Sequence, residues 1–169
     1  MKKKTKYKNH YILIIGILLL IICAVFSVVN ILNKLEKDDI NKSPLGTNEI
    51  LYTDIKNALK EINADTFLVV SYTGDIQIHK NEKEIEKYLK KVNLLDNVMY
   101  LDVKNYMNDE NYLKNLNKAL YLKNENEILS LPAVIFYKNG NVESVVNSKN
   151  GVLSKDIFKN YVEQNGLAS

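Results

Sequence analysis

The sequence predicts an α/β domain, a mixed four-stranded sheet with flanking helices, preceded by one transmembrane helix. Three observations carry that class. The first is an unbroken apolar run over Tyr11–Leu32 behind a cluster of lysines. The second is short β-branched and aromatic runs that alternate with stretches of helical period over Thr47–Ser169. The third is Asn139-Gly140 between two strand-like runs, the strongest short-range hairpin signal.

The apolar run YILIIGILLLIICAVFSVVNIL is interrupted only by Gly16, Ser27 and Asn30. About twenty helical residues rise about 30 Å, the thickness of a bilayer's hydrocarbon core. Lys2, Lys3, Lys4, Lys6 and Lys8 precede it and no comparable cluster follows closely. The positive-inside tendency therefore puts a basic segment, residues 1–10, in the cytoplasm and the rest beyond the cell membrane. A cleavable signal peptide has a shorter apolar core and a small-residue cleavage site, whereas apolar residues continue after Ala24 and Ser27. A lipoprotein needs a small residue before its cysteine, and Ile22 precedes Cys23. The expectation is an uncleaved anchor over 11–32 in which Cys23 is a small apolar filler, with palmitoylation or an intermembrane disulfide as its alternatives. Residues 33–46 are polar, with Pro44 and Gly46, and read as a spacer; Lys34, Lys37 and Lys42 are the residues that could reach lipid head groups.

Charge and cysteine content narrow the function. Beyond Asn33, 18 lysines face 20 acids, a net of −2, and arginine is absent. Nucleic acid is an unsuitable partner for such a surface. No cysteine follows Cys23, so the domain has no disulfide, dithiol or thiolate metal site, and no cofactor is expected. His10 and His79 are too few and too far apart for a metal centre.

Over 47–169 the elements follow in order. Ile50, Leu51, Ile55, Leu59 and Ile62 recur at helical spacing and predict a helix from Thr47 or Asn48. TFLVVSYT (66–73) is a continuous strand run, as expected where helices cover both faces. Asn81 with Glu84 forms a capping-box pattern ahead of a stripe of Ile85, Tyr88, Leu89 and Val92. VMYLDV (98–103) is a second strand, and a third helix is expected over 108–122, burying Leu113, Leu116, Ala119 and Leu120. The hairpin AVIFYK-NG-NVESVV follows; Ser154 then caps a last helix with Ile157, Phe158, Tyr161 and Val162 on one face, closed by Gly166. There is no internal repeat.

SLPAVIFYKNGNVE (130–143) resembles the cis-proline region of thioredoxins, and the element order over Phe67–Gly166 is similar to that of the thioredoxin-like superfamily, including bacteriocin-transport-accessory-type members. Sequence likeness is confined to the segment around Pro132; the rest is element order. The resemblance implies a thioredoxin-like fold with a cis bond at Leu131-Pro132. It also places a dithiol at the start of the helix after the first central strand. Here that segment is SYTGDIQIHK, and the stand-in for Cys-x-x-Cys is Ile76-Gln77-Ile78-His79. The buried acid that many members carry in the strand is missing from Phe67–Ser71 as well. A degenerate, non-enzymatic member is expected.

Two accounts of the retained proline stand side by side. Either Pro132 fixes a turn that the fold needs, or the Leu131 backbone still pairs with an extended peptide. On the second account the peptide-binding edge comprises Gly74, Asp75, Ile76, His79, Leu131 and Pro132, and the partner is an unidentified protein or peptide. The alternatives are a redox protein that works with a partner's thiol, and a structural or holdase domain. His79 with Asp75 lacks the third partner of an acid–base site and reads as a surface histidine. Gly74-Asp75 reads as a turn, with anion binding as its functional alternative. Asp102, Asp109 and Glu110 lack Ca²⁺-ligand spacing. Among the tyrosines, Tyr72, Tyr106, Tyr112, Tyr121 and Tyr137 are the candidates for partner contact.

Overall fold

The computed structural model describes the backbone of residues 3–62 and 64–167, and their side chains apart from 3–11 and 31–38. The chain divides into two units, residues 1–39 and 40–169. The described residues of the first form one helix, α1 (Lys3–Ile40), whose last residue is counted with the second unit. Its segment Ile12–Asn30 is long and apolar enough to cross a membrane, with none of it buried. Helix continues through 33–40, where a polar spacer was expected, and Ser27 Oγ folds back to donate to the Cys23 carbonyl at 2.9 Å. The expected lipid contacts of Lys34 and Lys37, and the side chains of the basic N-terminus, lie outside the described residues.

The second unit is a five-stranded mixed sheet in the order β1-β3-β2-β4-β5. The strands are β1 (Glu49–Ile50), β2 (Thr66–Ser71), β3 (Val98–Asp102), β4 (Ala133–Lys138) and β5 (Asn141–Asn147). β1, β3 and β2 run parallel; β4 runs antiparallel to β2, and β5 to β4. Among the described residues four further helices cover it: α2 (Ile55–Glu61), α3 (Ile76–Lys91), α4 (Tyr112–Ala119) and α5 (Lys155–Gln164).

Successive residues of β2 serve opposite layers, which is why its apolar run is continuous. Leu68 and Val70 pack with Leu101, Ile135, Ile55, Ile62, Leu116 and Leu120 on the α2/α4 side. Phe67 and Val69 pack with Tyr100, Phe136, Ile85, Leu89, Phe158 and Val162 on the α3/α5 side. The Phe67 ring meets Phe136 at 5.0 Å and Phe158 at 5.7 Å between centroids. The β4–β5 turn has Asn139 at φ 51° and Gly140 at φ 78°, the left-handed pair of a tight hairpin. A Cβ on Gly140 would stand 2.7 Å from the Ile62 carbonyl oxygen, so that turn is packed as well as twisted.

Three expected boundaries move. Instead of one helix from residue 47, the chain makes short 3-10 turns around β1, and helix begins only at Ile55. Ile50 is buried because its extended backbone pairs beside Leu101, while Leu51 stays 68% exposed. The sheet therefore gains a fifth strand too short to show a period. Leu45, inside the expected spacer, is fully buried against the α3/α5 layer. α4 is shorter than 108–122: Asp109 takes up the Asn111 amide at 2.8 Å before the first turn. Tyr121 (φ 57°) ends the helix in a left-handed cap, with Leu122 N–H donating back to the Asn117 carbonyl at 2.9 Å. The last helix starts where expected, its Ser154 Oγ accepting from the Ile157 amide at 3.3 Å.

Candidate binding cleft

The third moved boundary lies at the cleft. α3 begins at Ile76, five residues ahead of the Asn81/Glu84 pattern. Its cap is Asp75, whose Oδ1 accepts from the Gln77 and Ile78 amides at 2.8 and 2.9 Å. Gly74 supplies the turn at φ 94°, and its N–H donates to the Ile40 carbonyl at 2.8 Å. A helix starting here turns Ile78, Glu82, Ile85 and Leu89 inward together. His79 goes in too; at 7% exposure it is not the expected surface histidine.

Pairing of Val70 with Ala133 sets the head of β4 beside the end of β2. The Leu131-Pro132 bond is cis, as the resemblance implies. The element order over 67–166 also agrees with it, and the fold is thioredoxin-like. Pro132 and Ile78 share a crevice with Asn81, Glu82, Ile85 and Leu153 that is too narrow for a water molecule.

The proline loop is fastened from β5. Ser148 Oγ donates to the Leu131 carbonyl at 2.8 Å, and Ser148 N–H to the Pro132 carbonyl at 2.9 Å. Asn147 Oδ1 accepts from the Leu129 and Ser130 amides at 2.7 and 3.3 Å. Leu131 itself is only 7% exposed, and Pro132 is buried. Among the apolar groups that reach solvent at this end of the sheet are Leu129 (72%) and Ile76 (51%). Of the six expected edge residues, the structure collects Gly74, Asp75, Ile76 and His79 around the start of α3, and Leu131 with Pro132 in the facing loop.

The group that the sequence reading missed is Glu82. No acid lies in β2, yet α3 supplies one to the strand's end: Glu82 is 4% exposed. Ser71 Oγ donates to its Oε1 at 2.7 Å, and Tyr100 OH to the same oxygen at 3.3 Å. Ser43 Oγ, from the segment after α1, donates to Oε2 at 2.7 Å. Burial pushes the carboxyl above its ordinary value, opposed by the hydrogen bonds from Ser43, Ser71 and Tyr100 and by the nearby His79. Burial and then the Glu82 charge push the Tyr100 hydroxyl up in turn. A signal was present: Ile78, Glu82, Ile85 and Leu89 keep helical spacing once the helix is started at Asp75.

Asp102 and Asp109 are occupied in local structure. Asp102 accepts from Thr73 Oγ1 at 2.7 Å and from the Lys104 amide at 2.9 Å. Tyr72, Tyr106 and Tyr112 gather at the cleft end of the sheet, whereas Tyr121 and Tyr137 lie together near the hairpin turn.

No family model and no curated protein sequence matches the chain. Among solved structures it is similar to thioredoxin O2 from Arabidopsis thaliana in the oxidized state. The TM-score is 0.45 and the identity 12%, over 70% of this chain and 94% of that one. It is also similar to thioredoxin O1 from Arabidopsis thaliana in the oxidized state, with TM-score 0.45 and identity 15%, over 70% of this chain and 97% of that one.

Proposed function

We propose that the chain is a membrane-anchored accessory module whose domain lies outside the cytoplasm and binds a protein or peptide at the cleft without redox chemistry. One observation carries the reading: α3 starts at Ile76 behind its Asp75 cap, in the segment where the resemblance places the dithiol, and the stand-in positions hold Ile76 and the buried His79. Neither side chain can form a disulfide. What this end of the sheet offers a partner is apolar area on Ile76 and Leu129, across the loop that precedes Pro132. Exposed apolar groups beside a fixed loop are the elements of a protein-recognition surface. Ile12–Asn30 supplies the anchor, and the lysines before it keep the N-terminus inside.

The test is photo-crosslinking of the full chain in intact cells. A photoreactive residue at Leu129 or Ile76 is preferred over Leu131, because a bulky probe at that buried position would disturb the core. Tyr121, 63% exposed near the hairpin turn, is the control position. A discrete adduct from 129 and 76, absent from 121, is the expected result. Equal labelling from all three positions, or none, would leave the loop as a fold element only and defeat the reading.

A further inference from the structure

Tyrosines follow one another along the carboxyl ends of the parallel strands. Tyr52 comes just after β1, Tyr72 directly after β2, Tyr106 shortly after β3, and Tyr112 opens α4. The rings of Tyr52 and Tyr106 stack, with centroids 4.0 Å apart and planes at 21°. Together with Asn105, Asp109, Tyr112 and Asn115 they line a cup of about 380 Å³. That is within the roughly 300–1,000 Å³ of small-ligand pockets, which favour the carboxyl edge of parallel strands.

The lining is selective in its charge. The second unit carries 16 lysines, yet none lines the cup. Lys104, adjacent in sequence to Asn105, extends instead to Asn41 Oδ1 at 3.4 Å. The one charged lining group is Asp109. Its Oδ1 accepts from the Asn111 amide at 2.8 Å and its Oδ2 from Asn115 Nδ2 at 2.9 Å, so the carboxylate is fixed in place. Aromatic faces are the negative side of the ring quadrupole, and they add to that charge. The Tyr52 hydroxyl in the lining is pushed up first by burial and then by Tyr106 and Asp109.

The one fixed charge in the lining is negative, which disfavours an anion, and an apolar guest would leave the carboxylate and amides unmatched. A positive group matches the Asp109 carboxylate, the ring faces and the amide oxygens. We propose that this cup binds an organic cation, a guanidinium or ammonium group, held by the tyrosine faces and the Asp109 carboxylate. The proposal does not depend on peptide binding at the Pro132 loop. The cation has two sources, a free small amine or an arginine or lysine side chain presented by a polypeptide.

Ring-labelled tyrosine NMR of the full chain in non-ionic micelles tests it, with signals assigned by single Tyr→Phe substitutions. Ethylguanidinium chloride is titrated at constant ionic strength against sodium chloride alone. A short arginine peptide is titrated against the same peptide carrying citrulline. Saturable shifts of Tyr52, Tyr106 and Tyr112, with Tyr121 and Tyr161 unmoved, are expected. Tyr106→Leu and Asp109→Asn should each weaken binding roughly twofold to fivefold. Tighter binding of the arginine peptide than of ethylguanidinium, lost with citrulline, identifies a polypeptide side chain as the source. Equal binding identifies a free amine. No saturable shift beyond the sodium control, or binding that neither substitution weakens, overturns the proposal.

Discussion

Glu82 is the residue whose environment differs most from what its type prefers. A carboxylate so deeply buried is tolerated because three hydroxyls point at it, yet burial still outweighs them and its pKa stands above the ordinary 4.5. The sign of the linkage follows. With the folded pKa raised, the fold holds the proton more tightly than the unfolded chain does. The contribution of Glu82 to stability is therefore full below about 4.5 and is lost as pH rises through the folded value. Glu82→Gln keeps the shape and removes the titration. Its melting temperature relative to the natural protein should climb as pH increases from 4.5 and then level off. A difference that is flat across that range, measured by circular dichroism, would refute the assigned environment. Glu82→Ala should be destabilising at every pH, by about 1–3 kcal/mol, because it strands the hydroxyls of Ser43, Ser71 and Tyr100. Glu82 was not legible because a glutamate in a lysine-rich segment, KNEKEIEKYLKK, reads as solvated face unless the helix phase is already known.

At the scale of elements, that phase is decided by the cap. Asn81 and Glu84 match a capping box, but Asp75 makes the two hydrogen bonds that start α3. Asp75→Ala should cost about 1 kcal/mol in urea unfolding, while Asn81→Ala should cost no more than about half of that. The reverse order would return the helix start to residue 81. The misreading has a local cause: Ile76 and Ile78 alternate with Gln77, which looks like the tail of a strand rather than a first turn. Elements with strong periodic or continuous patterns were legible. β2, β3, the Asn139-Gly140 hairpin and α5 lie where the residues predict them. β1 was not, because two residues have no period and the burial of Ile50 imitates one helical position. Of the cleft, the sequence named the Pro132 loop and the 74–79 segment as its two parts, while placing the helix start five residues too late. It hid that Leu131 is buried and that its carbonyl already accepts from Ser148. Side-chain hydrogen bonds between residues 17 positions apart leave no mark on a local pattern.

For the whole molecule, the decisive property is the contrast between its two units. Nineteen residues, Ile12–Asn30, are exposed and apolar, and at helical rise they extend about 28 Å, close to the hydrocarbon thickness of a bilayer. The second unit carries its apolar residues inward in two layers and needs no lipid to cover them. In the proposed function that span sits in a membrane and the sheet domain in water. Its cysteine content makes the orientation measurable, because Cys23, inside the apolar span, is the only one. A membrane-impermeant maleimide should leave the natural protein unlabelled, since the charged reagent does not enter the hydrocarbon core. Lys87→Cys, at a side chain 69% exposed on α3, should be labelled on intact cells. Lys4→Cys should be labelled only after the membrane is opened, as the lysine cluster before the span requires. The opposite pattern would turn the domain to the cytoplasm and overturn the proposed orientation. Labelling of Cys23 in intact cells would take the span itself out of the bilayer, leaving the cleft and the tyrosine cup as properties of a domain without an anchor.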